Sequence, residues 1–188
     1  MVYRMLLLAT LASSTLAWGE PLVRQSMSYY YVDGGSATVL AAQIDQNGPL
    51  GADGRRYAGK TRWDAQWKFR HEQQGTTCSV KEVAVAVGIT QTLPRWRGED
   101  KGAAALKSAW SRFAEALQRH EDQHKENGLK AAKEIEAVIM ATRPASNCEA
   151  LQDTANAAAR AVIEKYQVLD NELDRKTDHG RNQGASLL

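Results

Sequence analysis

Residues 105–138, ALKSAWSRFAEALQRHEDQHKENGLKAAKEIEAV, decide the fold. Leu106, Trp110, Phe113 and Leu117 recur at steps of three and four, and Ala131, Ile135 and Val138 resume the same stripe. That period is the mark of a helix with one face against a core. The spacing predicts one long helix beginning after Gly102 and stopping near Arg143-Pro144, since proline cannot continue it. Ser146, with Glu149 three residues on, has the form of a capping box for a second helix. Leu151, Ala155, Ala158, Val162, Tyr166 and Leu169 would lie on its apolar face. Two such helices joined by a short turn predict an antiparallel hairpin.

Working towards the N-terminus, the period drops from near 3.6 to two. Trp63, Ala65, Trp67, Phe69 and His71 alternate with mostly charged or polar residues, and Val83, Val85, Val87 and Ile89 alternate again after a turn at Gln73-Gln74-Gly75-Thr76-Thr77. These segments predict a β-hairpin. A further strand is expected at residues 28–32 and a short helix at residues 36–46, with Leu93-Pro94-Arg95-Trp96 and Gly98 closing the β part. The fold class expected is α+β: a small, mostly antiparallel sheet against a long antiparallel helical hairpin.

Residues 1–19 have the form of a signal peptide, with Arg4, an apolar stretch at 5–12 and small residues at 13–19. The apolar run is far shorter than the roughly 20 residues of a membrane span, so no span is expected. Residues 20–188 then form a single domain of an exported, periplasmic or secreted protein. With 24 basic and 22 acidic side chains and a net charge of +2, the chain lacks the one-sided basic field of a nucleic-acid binder. Cys78 and Cys148, an even pair in an exported chain, are expected to form a disulfide; the rival reading, two thiolate metal ligands, lacks close C-x-x-C spacing.

The apolar stripe of the long helix predicts inward positions at 120 and 124, and both hold histidine. Spacing of four places the two imidazoles on adjacent turns of one face, where they can share an ion. His120-Glu121-Asp122-Gln123-His124 is the H-E-x-x-H pattern of zinc peptidases, with His120 and His124 as zinc ligands and Glu121 as general base. A catalytic zinc takes a third protein ligand. With a turn near residue 145, His120 would face about Asp170 and His124 about Tyr166, so the end of the second helix and the tail supply the candidates. His179 is the first choice, since imidazole suits zinc and no packing pattern accounts for it. Glu172, Asp170 and Asp174 are the carboxylate alternatives, and His71 is assigned to packing or surface.

The same residues resemble a bacterial family described as predicted secreted zinc-dependent proteases, domain of unknown function 922. The resemblance rests on Tyr57-Ala58-Gly59-Lys60-Thr61, Trp63, Trp67, Cys78, Leu93-Pro94, Trp96, Trp110, Phe113, the H-E-x-x-H, Cys148 and the tail. There Asp174, Thr177, His179-Gly180 and Gln183-Gly184-Ala185 are similar to a D-x-x-T-x-H-G-x-x-Q-G-A ending, while Leu173 departs from the tyrosine usual before that aspartate. The resemblance implies His179 as a site residue, with Asp174 and Thr177 in support. The function expected is that of an exported zinc peptidase acting on peptide or protein substrates. A non-catalytic zinc-binding protein or a helical interaction module of the cell envelope is the alternative.

Overall fold

The computed structural model describes residues 19–188; the signal peptide expected at 1–19 falls almost entirely outside them. In chain order the elements are β1 (Leu22–Val32), α1 (Ala37–Asn47), β2 (Lys60–Gln74), β3 (Thr77–Trp96), α2 (Ala104–Met140) and α3 (Cys148–Thr177), with short 3₁₀ turns at Glu99–Lys101 and Arg181–Gln183. The architecture is α+β, as the two periodicities predict.

β2 and β3 form the expected hairpin, pairing from Lys60↔Thr92 to Gln74↔Thr77. Gly75 turns the chain at φ +60°, a conformation that glycine enters without a Cβ penalty. The sheet, however, is mixed rather than mostly antiparallel. Its order is β1-β3-β2, and β1 runs parallel to β3 from Leu22↔Ala86 to Val32↔Trp96. β1 reaches six residues further towards the N-terminus than the expected 28–32. Residues 22–29 are exposed, so no buried face imprints an alternating pattern on them, and their main chain is held by pairing with the long central strand.

α2 runs unbroken through the histidines. It stops at Met140, ahead of Pro144. α3 is capped by Asn147, whose side chain accepts from Ala150 N, not by Ser146. The cap one residue later puts Glu149 at the second helical position, so the reciprocal half of a capping box cannot form. Leu151, Ala155, Val162 and Tyr166 are buried as expected, whereas Ala159 rather than Ala158 occupies the core and Leu169 is exposed.

Two apolar clusters result. One joins β3 to α2 and α3 through Val87, Ile135 and Ala155; the other joins Val32, Leu40, Trp96, Trp110 and Leu117. Along α2 they are separated by the stretch from His120 to Gly128. The polar residues of the motif therefore fill the gap between two cores.

Cys78 and Cys148 are joined across 70 residues of chain. Backbone hydrogen bonds between Cys78 and Ala145, 2.8 and 3.0 Å long, fix the connection between α2 and α3 to the start of β3. Closing so long a loop limits the unfolded chain, so reduction is expected to lower stability by roughly 2–4 kcal/mol. Urea midpoints of the oxidised and reduced protein measure this, and coincident midpoints would count against it. With both sulfurs in the disulfide, neither serves as a thiolate ligand beside His71, which instead lies 3.4 Å from Gln152 Nε2. Among the described residues, no helix is long and apolar enough to cross a membrane.

Candidate metal centre

The site is built by two helices, one strand end and the tail. α2 supplies His120, Glu121 and His124, all buried. α3 supplies Asp170 and Asp174. His120 lies against Asp174 and His124 against Asp170, so residue numbers rise along one helix as they fall along the other. The pairing is displaced about one helical turn from that given by a turn at residue 145. The connection is not a tight turn there: Ala145 pairs with Cys78 and helix resumes only at Cys148.

Each imidazole is held from behind. His124 Nδ1 is 2.9 Å from Asp170 Oδ1, and since a carboxylate only accepts, Nδ1 carries the proton. Asp170 is fixed in turn by Asn127 Nδ2 and Trp63 Nε1, both donating at 2.7 Å. His120 Nδ1 donates to Gln183 Oε1 at 3.0 Å. Both Nε2 atoms are thereby turned to one point, 3.3 Å apart and 3.1 and 3.0 Å from Asp174 Oδ1. Second partners that fix the ring and tautomer of a histidine in this way are characteristic of metal ligands.

His120, His124 and Asp174 can hold a metal ion. Tetrahedral coordination at zinc distances separates ligand atoms by about 3.3 Å, close to the triangle found here. In the protein alone a proton serves in place of the ion. Burial opposes charge on His124, but Asp170 and Asp174 overcome it and push its pKa up to about 10. Burial likewise opposes charge on Asp174, yet the two histidines hold its carboxyl well below the usual range.

Glu121 lines the same cleft, of about 550 Å³. Burial pushes its carboxyl above the ordinary range, opposed by a 2.7 Å hydrogen bond donated by Thr61 Oγ1 and by the nearby histidines. Thr61 Oγ1 also lies 3.1 Å from the Glu121 carbonyl, so the start of β2 fixes the residue from both ends. A Cβ at Gly59 would stand 2.5 Å from Glu121 Oε1, so the close approach of strand and carboxylate requires glycine.

His179 is set beside the three-residue cluster. Its Nδ1 lies 3.4 Å from Asp174 Oδ2, its ring centroid is 4.0 Å from that of Tyr57, and its φ is +52°. Asp174 stands in the cluster itself. Thr177 braces the tail, donating to Leu173 O at 2.8 Å and accepting from Gly180 N at 3.1 Å. Gly180, at φ +84°, passes His120 so closely that a Cβ would lie 3.0 Å from the ring. Glu172 pairs with Lys176 across an exposed turn of α3, away from the cluster. Thr61, Asn127, Trp63 and Gln183 complete the site, although the motifs of the sequence do not mark them as site residues. A signal for three of them lies in the Tyr57–Thr61 stretch, Trp63 and the Gln183-Gly184-Ala185 ending of the resemblance; Asn127, which acts with Trp63 through Asp170, carries no local pattern.

The family described as "Bacterial protein of unknown function (DUF922)" matches residues 27–180. The chain belongs to this family. The match runs from the middle of β1 past the end of α3, and includes His120, Glu121, His124, Asp170, Asp174 and His179. No curated protein and no solved structure matches the chain significantly. The family's description assigns no activity, so the case for any chemistry rests on the cleft.

Proposed function

We propose that the protein is an exported zinc-dependent peptidase in which His120, His124 and Asp174 hold the ion and Glu121 is the general base. The observation that carries this reading is a buried carboxylate sharing a cleft with three convergent donors while remaining outside their cluster. Two nitrogens and one carboxylate oxygen leave a coordination position free, as hydrolytic zinc sites do. A zinc ion held there would supply Lewis-acid polarisation of a carbonyl and of an attacking water.

The chain's own residues do the rest. Glu121, with its carboxyl raised by burial, takes the proton of the water as it attacks the carbonyl carbon and returns it to the leaving amine. Thr61 holds Glu121 Oε2 during this exchange. Asp170 and Gln183 keep both imidazoles aimed through Nε2. The disulfide suits the oxidising compartment that the signal peptide implies.

Zinc titration of the purified protein, followed by cleavage profiling on a peptide library, tests the proposal. One zinc per chain and metal-dependent cleavage are expected. Because zinc must displace the proton on His124, affinity should rise with pH towards about 10, by about tenfold per unit for one proton released. A chain that takes up no zinc at any pH overturns the proposal, and zinc binding without any hydrolysis reduces it to a metal-binding protein.

A further inference from the structure

A groove runs from the metal cleft along the outer side of β2. It begins where Thr61, Asp170 and Asn171 line the cleft, and these three also line the next section with Trp63 and Gln167. Trp63 and Gln167 continue into a third section beside Trp67, Arg160, Ile163 and Glu164. The three sections adjoin one another from the cluster to Trp67, each sharing lining residues with the next.

Its walls are unequal. One is β2, which pairs only with β3 and has no strand on its other side among the described residues. A strand in this position leaves a row of main-chain donors and acceptors open to an incoming chain. The other wall is one face of α3. Two indoles cross between them, Trp63 Nε1 donating to Asp170 and Trp67 Nε1 to Asn156, at 2.7 and 2.9 Å. Gly128 of α2 admits the first, since a Cβ there would come within 2.7 Å of the Trp63 ring.

We infer that this groove binds an extended, unfolded segment of polypeptide as an added strand on β2, leading it to the cleft; cleavage of the bound segment, though not its binding, rests on the peptidase reading. Only an extended main chain matches the repeat of an open strand edge, and main-chain pairing is indifferent to side-chain sequence. From Thr61 to Trp67 the edge is about 20 Å long, room for six or seven residues at strand spacing. The indole faces and Ile163 give apolar contact. Arg160 and Glu164, of opposite charge, give no preference for a polyanion. Most strands of a folded substrate are already paired and flanked by their own side chains, whereas a disordered or unfolded chain offers a free main chain along its length, so the ligand is of that kind.

The test uses the Glu121→Gln protein with zinc added and, as probe, a reduced and alkylated polypeptide that cannot refold. Hydrogen exchange should slow at alternate amides within residues 61–67 and leave β1 unchanged. Gln167→Trp, which fills the groove at an exposed position of α3, should weaken probe binding at least tenfold while zinc uptake stays as before. Unchanged exchange at 61–67, or protection spread evenly over the sheet, overturns the inference whatever becomes of the Trp variant. The two readings fail separately: protection without hydrolysis by the unsubstituted protein removes the peptidase and keeps the groove, and hydrolysis without protection does the reverse.

Discussion

Glu121→Gln is expected to bind zinc as the unsubstituted protein does and to lose hydrolysis by a factor of about 10²–10⁴, the usual contribution of a general base. The substitution keeps the size of the side chain and removes the group that accepts the proton. Glu121 is buried and held by Thr61, and it is not one of the three donors that converge, so its charge is not needed to keep an ion in place. The amide can still accept from Thr61 Oγ1. Cleavage rate and zinc content measured on the same preparation separate the roles. A Gln variant that cleaves at the original rate with zinc bound removes Glu121 from the chemistry; one that loses zinc makes it a ligand.

The second large effect is expected at Asp174. Asp174→Ala removes the one oxygen that, among the described residues, lies within hydrogen-bond distance of both Nε2 atoms, leaving the two imidazoles of the cluster. Zinc affinity should fall by at least a hundredfold, beyond the 10–100-fold typical of losing an outer partner. His179→Ala should weaken zinc less, because its Nδ1 approaches the carboxylate rather than the point on which the donors converge. Competition against a chelator of known affinity ranks the two variants. The reverse order would make His179 the third ligand, with Asp174 as its support.

Much of this was legible in the sequence, for reasons that can be stated residue by residue. His120 and His124 stand out because a helical stripe runs through them, and a period of 3.6 is visible wherever one face is buried. The β2–β3 hairpin was legible for the same reason at a period of two. The parallel placing of β1 was not, since exposed residues 22–29 carry no alternation and pairing between distant strands leaves no local mark. The opposition of Asp174 to His120 depended on a helix-to-helix offset of one turn, set by the link from Ala145 to Cys78 rather than by any residue near the site. The inward turn of both Nε2 atoms required Asp170, Asn127, Trp63 and Gln183 together, residues from separate segments of the chain.

That scatter along the chain has a consequence in time. His120 and Asp174 are 54 residues apart, and His120 and Gln183 63. A ribosome finishes both histidines well before it adds the carboxylate that completes their triangle or the amide that orients one of them. In the interval the histidine pair lacks both its third donor and the partner that orients His120. The proposed ion site is complete only when α3 lies along α2 and the tail lies against His120. On the proposed reading, the polypeptide is therefore synthesised before it can hold an ion, and the site depends on the packing of its last helix and tail.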